Sequence, residues 1–200
     1  MATFTGTAGN DTLKGTTDAD TLVGLAGDDS YTVDHTDDVV IEVPGEGTDK
    51  ITSSVTYNLS DEVENLVLTG TASLDAKAND LSNSITGNSG SNHLYTLDGV
   101  DTVIAGLGDD TVEAGAFLAA DDRLDGGTGV DRLRLDGDYS GGLTLGAATV
   151  VNFERISLAD GNSYDITLDD ATNSSTLLVK GNRLTTGTLN LDGSAETKSS

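Results

Sequence analysis

Three consecutive stretches, GTAGNDTLK (6–14), GTTDADTLV (15–23) and GLAGDDSYT (24–32), decide the fold, because they repeat one nine-residue pattern without a gap. Glycine stands first, aspartate sixth (Asp11, Asp20, Asp29) and an apolar or aromatic residue eighth (Leu13, Leu22, Tyr31). The next unit, VDHTDDVVI (33–41), has lost its glycines but keeps Asp38 and Val40 in frame. A second block begins with ANDLSNSIT (78–86) and GNSGSNHLY (87–95), where Asn83 and Asn92 replace the aspartate. TLDGVDTVI (96–104) and AGLGDDTVE (105–113) follow. After AGAFLAAD (114–121), which inserts three residues, the frame resumes through Asp122 and Leu124 and ends in GGTGVDRLR (126–134).

The pattern has a direct physical reading. The last three residues of each unit suit a short strand whose middle side chain points inward, since side chains alternate along a strand. Every eighth position obeys: Leu13, Leu22, Tyr31, Val40, Ile85, Leu94, Val103, Val112, Leu124 and Leu133. The six preceding residues must reverse the chain, and glycine at positions one and four permits the positive φ such a turn demands. Two turns and two strands make an 18-residue coil, and stacked coils pair each strand with its counterpart about 4.8 Å away. The expected fold is all-β, a parallel β-roll or β-helix solenoid of nine-residue half-coils with longer coils between.

Stacking also sets sixth positions of successive coils side by side: Asp11 by Asp29, Asp20 by Asp38, Asn83 by Asp101 and Asn92 by Asp110. Across the insertion it sets Asp101 by Asp122 and Asp110 by Asp131. Paired carboxylates repel unless a cation lies between them, and most of these turns hold no lysine or arginine. A hard divalent ion fits: calcium takes six to eight oxygens at about 2.3–2.6 Å, which aspartates and turn carbonyls supply. Zinc would want histidine or cysteine; there is no cysteine, and His35 and His93 lie in separate blocks.

These units resemble the RTX, or haemolysin-type, calcium-binding repeat, whose nonapeptide is GGxGxDxUx; GGTGVDRLR (126–134) meets all five defining positions. The resemblance covers residues 6–41 and 78–136, and GEGTDKI (45–51) and VENLVLTG (63–70) look like the longer coils found between such repeats. It implies calcium ions held between successive turns. The expected ligands are Asp11, Asp20, Asp29, Asp38, Asp101, Asp110, Asp122, Asp131 and Asn92, with the fourth-position glycines Gly9, Gly27, Gly99, Gly108 and Gly129 supplying carbonyls.

VENLVL (63–68) and FERISL (153–158) share an acidic second position and apolar residues two apart, which suggests one module used twice. The expected modules are 1–77 (repeats 6–41, longer coils 42–77) and 78–200 (repeats 78–136, strand-rich coils 137–200).

Composition narrows the function. Among 200 residues there are 25 glycines against one proline, and 34 acidic residues against ten basic, a formal charge of −24. Glycine costs about 1 kcal/mol per helix position relative to alanine, so a helical bundle is disfavoured. A chain this acidic repels phosphate backbones, and nucleic acid is a poor partner. No apolar run approaches the roughly 20 residues of a membrane-spanning helix. MATFTGTAGND (1–11) has neither a basic segment nor an apolar core, so a Sec signal is not expected there. Export by type I secretion is what the family resemblance implies.

The expectation is a noncatalytic calcium-binding module, structural or adhesive, of a secreted bacterial protein, with calcium, a cell-surface component or further copies of itself as partners. Self-assembly into fibres or a surface layer is the alternative. A polysaccharide-modifying β-helix enzyme is the rival from another class. It is disfavoured because Tyr57, Tyr95, Tyr139 and Tyr164 are scattered, and no nucleophile elbow, HExxH or paired-carboxylate motif is present.

Overall fold

The computed structural model describes residues 1–169, 177–181 and 184–193, all in strands, turns and bends with no helix. The expected all-β solenoid is what forms. One face is an eight-stranded parallel sheet running from Thr12–Lys14 to Val150–Val151, and the opposite face is a seven-stranded parallel sheet from Tyr57–Asn58 to Leu178–Lys180. The second face is preceded by three parallel strands, Thr3–Thr5, Thr21–Val23 and Val39–Ile41.

Register follows repeat length. Thr12 pairs with Ser30, Thr21 with Val39, Ser84 with Thr102 and His93 with Thr111, each partner standing two nonapeptides further along the chain. The insertion within 114–121 lengthens the next coil, so Thr102 pairs with Arg123 and Thr111 with Arg132. The extra chain bulges at Glu113–Gly115 and leaves the strands in frame. The sheets run unbroken across residues 77 and 78, with Leu66 opposite Ile85 and Ala76 opposite Leu94.

Eighth-position side chains and their counterparts in the longer coils stack into two interior ladders. On the first face Leu13, Tyr31, Ile51, Leu66, Ile85, Val103, Leu124 and Val150 are successive cross-strand partners. On the second, Ala76, Leu94, Val112, Leu133, Ile156 and Val179 are. All these are buried except Leu13 and Val179, which lie near the ends of the stack and pack partly buried against the core. Each coil is too thin to bury its own apolar residue, so the core exists only between neighbours.

Beyond Leu135 the coils lengthen further, as the pairings of Tyr139 with Tyr164 and of Tyr164 with Leu189 record. The added length forms a third face of Tyr139–Gly146, Tyr164–Asp169 and Leu189–Asp192. Tyr139 and Tyr164 stack inside it, with ring centres 6.1 Å apart. The alternating sequence from Tyr164 to Leu191 thus supplies strands, while its portions at 170–176 and 182–183, like the end of the second module at 194–200, lie outside the described residues.

Leu94 is fully buried between Ala76 and Val112, so Leu94→Ala should cost about 2–5 kcal/mol, while Thr102→Ala on an outer face should stay within about 0.5 kcal/mol. Urea denaturation of both variants at fixed calcium checks the contrast.

Candidate metal centre

The turns are tied together by their sixth-position side chains. The Asp29 carboxylate accepts the Asp11 amide at 2.7 Å, and Asp38 accepts that of Asp20 at 2.9 Å. In the second block Asp101 accepts the Asn83 amide at 2.9 Å and Asp110 that of Asn92 at 2.6 Å. Asp122 accepts from Asp101 at 2.9 Å and Asp131 from Asp110 at 2.7 Å. The structure therefore brings together each pair set side by side by coil length. One carboxylate oxygen per residue is spent on the coil before it.

The ladders extend to residues that the nonapeptide frame did not single out. Asp49 accepts the Asp29 amide, Glu64 that of Asp49 and Glu154 that of Asp131, each at 2.7 Å. Glu64 and Glu154 are the shared acidic residues of VENLVL and FERISL, and that common position was the available signal. The strands that follow them, Asn65–Leu68 and Arg155–Leu158, lie on opposite faces, since the intervening coils differ in length.

What happens to the second carboxylate oxygen divides the turns into two kinds. In the closed kind it accepts the amide of the turn's second residue: Thr7 caps Asp11, Thr16 caps Asp20 and Asp34 caps Asp38. Leu97 caps Asp101 in the same way. Asp122 is closed by the amide of Ala119. In the open kind that oxygen is buried and has no hydrogen-bond partner, as at Asp29, Asp110 and Asp131. The second residues of these three turns are Leu25, Gly106 and Gly127, with φ of 86°, 109° and 87°. A left-handed second residue turns its peptide away from the carboxylate, which leaves the oxygen bare.

Of the fourth-position glycines, Gly27, Gly99, Gly108 and Gly129 have positive φ, and Gly9 does not. First-position glycines are needed for a different reason from the expected one. Gly24 has no positive φ, but a Cβ there would lie 2.2 Å from the bare Asp29 Oδ2.

Asparagine brings neutral donors to the central turns. The Asn92 amide nitrogen donates to the Leu74 carbonyl at 3.1 Å, and its oxygen accepts from Asn88 at 2.9 Å. Asn79 spans the Ser60 and Val63 carbonyls, both at 2.8 Å, and Asn88 those of Thr69 and Ala72, both at 3.0 Å. The central coils thus satisfy their turn carbonyls with neutral donors, whereas the flanking blocks gather carboxylates.

Burial and neighbouring charge decide the electrostatics of the turns, closed or open. Burial, reinforced by the neighbouring Asp122 charge, pushes Asp101 up to about 6. Burial and the charges of Asp110 and Glu154 do the same for Asp131, also to about 6. In the closed turn at Asp20, the Thr16 hydroxyl and amide hold the carboxyl below its usual range. A buried bare carboxylate oxygen beside further acids and turn carbonyls is an all-oxygen donor set, which suits calcium and gives a soft metal nothing to prefer. His35 Nδ1 accepts the Asp37 amide at 3.1 Å, and His93 stacks on Tyr95 with Nε2 3.3 Å from Glu113. Arg134 bridges coils to Glu113 at 2.5 Å.

The model of the RTX calcium-binding nonapeptide repeat matches residues 4–39, 78–115 and 118–139, in four copies. An endo-1,3-1,4-beta-glycanase, ExsH, of Rhizobium meliloti (strain 1021) is 38% identical over 89 residues, 44% of this chain and 19% of that protein. The chain thus spans about a fifth of that relative's length. No solved structure matches it. Among the described residues, no helix is long and apolar enough to cross a membrane.

Two outcomes are expected of the metal-free protein. Asp101 and Asp131 bind protons more tightly folded than unfolded, so stability falls as pH rises from about 4 to about 6. Circular dichroism of the metal-free protein should therefore show more β-signal at about pH 4.5 than at about pH 6.5, with saturating calcium abolishing the difference. Leu25→Gly should relieve the left-handed strain at φ 86° and raise the melting free energy by about 0.5–1 kcal/mol without loss of calcium binding.

Proposed function

We propose that this chain, which carries RTX calcium-binding nonapeptide repeats, is a noncatalytic, calcium-folded structural or adhesive module of a secreted bacterial protein. The observation that carries the reading is the set of bare, buried oxygens on Asp29, Asp110 and Asp131. Burying an ionised oxygen without a partner is costly, and a cation removes that cost where no protein donor does. Asp11 would add charge beside Asp29, while Asp20, Asp38, Asp101 and Asp122 would serve the other turns of the ladders, with carbonyls at Gly9, Gly27, Gly99, Gly108 and Gly129. Asn92, whose amide already bridges protein groups, would act as a spacer at the edge of its site.

In this mechanism the charge of −24 keeps the acidic blocks loose where calcium is scarce, and calcium outside the cell locks them. Each ion bound only by the folded state adds about 2.7 kcal/mol at 100-fold excess over its Kd. The two-module division, 1–77 and 78–200, describes how the sequence is composed along one continuous stack. The secreted setting rests on the repeat family, and the glycanase activity in the matched relative's name belongs to a protein of which this chain covers 19%. Type I export follows from the same resemblance.

A second reading, self-assembly through the ends of the stack, is favoured by one feature. Thr12–Lys14 is the terminal strand of the eight-stranded sheet and leaves one backbone edge unpaired. A particle size that grows with protein concentration would favour it over a monomeric spacer.

Titrating calcium into chelated protein should give a cooperative gain of β-signal in circular dichroism and a smaller hydrodynamic radius, with magnesium much weaker. Hydrogen exchange should show the gain in protection at residues 6–53 and 96–135, and least around Asn79–Asn92. A protein already compact in chelator and indifferent to calcium would overturn the proposal.

A further inference from the structure

Asp29, Glu42 and Asp49 converge on one point, each offering an oxygen within 4.8 Å of the other two. Asp29 is 1% exposed and Asp49 3%, and the bare Asp29 Oδ2 points into the group. A Cβ added at Gly24 would meet the Tyr31 hydroxyl first and would lie 2.2 Å from that oxygen and 2.5 Å from Glu42 Oε1, so the absence of a side chain at Gly24 is what lets these three groups come together over the turn. The other oxygens are already spoken for: Asp29 Oδ1 holds the Asp11 amide, and Asp49 Oδ1 holds the Asp29 amide, both at 2.7 Å. These bonds fix the two aspartates. The Tyr31 hydroxyl donates to Glu42 Oε1 and fixes the third.

We propose that Asp29, Glu42 and Asp49 form a three-carboxylate calcium site at the end of the first repeat block, with Glu42 a ligand that the nonapeptide repeat does not supply. The inference rests on the calcium-binding reading above and adds a specific ion to it. Glu42 follows the strand Val39–Ile41 on the other half-coil, where the repeat pattern places glycine, and it reaches over Gly24 into the turn. The spread of the oxygens suits calcium, since ligands on opposite sides of the ion lie about 4.6–5.2 Å apart at its usual bond lengths. Magnesium, at about 2.0–2.1 Å, would require a tighter cluster. Only oxygens are offered, which disfavours zinc and copper.

The site has a structural consequence. It joins the turn before Ser30–Val33, the turn before Lys50–Ser53 and the end of Val39–Ile41, so one ion would clamp three segments of two successive coils. The coil that crosses this junction is longer than a pair of nonapeptides, as the pairing of Ser30 with Lys50 records against that of Thr12 with Ser30. The clamp lies where the regular repeat gives way to the longer coil. Tyr31, 1% exposed and bonded to Glu42, would be the aromatic ring beside the ion.

Terbium, a luminescent calcium substitute excited through a neighbouring tyrosine, provides the test on the full chain. The wild type should show tyrosine-sensitised emission that excess calcium quenches by competition. Glu42→Gln, which keeps the contact with Tyr31, should weaken this site about tenfold or more and lower the calcium stoichiometry by one in calorimetry. Tyr31→Phe should lose most of the sensitised emission while calcium stoichiometry stays unchanged, which keeps the test open if Glu42→Gln fails to fold. Unchanged terbium affinity and calcium stoichiometry in Glu42→Gln, or full emission in Tyr31→Phe, would overturn the site. Calcium bound by the protein with no sensitised emission in the wild type would overturn the site and leave the broader reading intact. No calcium bound at all would overturn both.

Discussion

The structure depends on one interaction repeated along each edge: a sixth-position carboxylate accepting the backbone amide of the sixth residue one coil away. The bond measures 2.6–2.9 Å at Asp29, Asp38, Asp101, Asp110, Asp122 and Asp131. It satisfies a backbone donor at a tight turn, which would otherwise be left without a partner as the coils close on each other. It also holds successive turns in line, so that Leu13, Tyr31 and Ile51 meet as partners inside. Core and ladder therefore depend on each other.

The same interaction creates the protein's electrostatic difficulty. Stacking brings acids near one another in partly buried turns, and burial with like-charge repulsion raises Asp49, Asp101, Asp110 and Asp131 above the usual carboxylate range. Closed turns give the second oxygen an amide, and at Asp20 the Thr16 hydroxyl and amide hold the carboxyl below its usual range, while Asp101 stays raised because its burial outweighs the cap. Open turns leave the oxygen bare because Leu25, Gly106 or Gly127 turns its peptide away. The second residue of the turn thus decides whether the carboxylate's second oxygen is capped by an amide or left bare.

Between the acidic blocks the chain solves the same problem without charge. Asn79, Asn88 and Asn92 donate to carbonyls of the coil before them. The stack therefore has a neutral middle flanked by two regions whose turns need neutralising. In a repeat protein, stability is the sum of local and nearest-neighbour terms. A solenoid with such a middle would give the flanking coils a formed surface to fold against when an ion arrives.

The amino-acid sequence by itself determined the coil. Nine-residue spacing of Leu13, Leu22 and Tyr31 dictates alternate faces, and the return after two such units dictates which acids become neighbours, because both follow from strand alternation and chain length. The insertion within 114–121 was legible for the same reason, since a bulge shifts numbering without shifting frame. Only the tertiary structure decided which aspartates keep a bare oxygen, because that turns on the φ of the second residue, and Leu25 adopts in the fold a conformation that a leucine does not announce. Glu64 and Glu154 belong to coils whose lengths break the count, and their place in the ladders depends on where the longer loops return. Glu42 was hidden most completely: it lies in a different half-coil from Asp29, well separated from it in sequence, and the two meet only because Gly24 leaves room for a side chain to cross the turn.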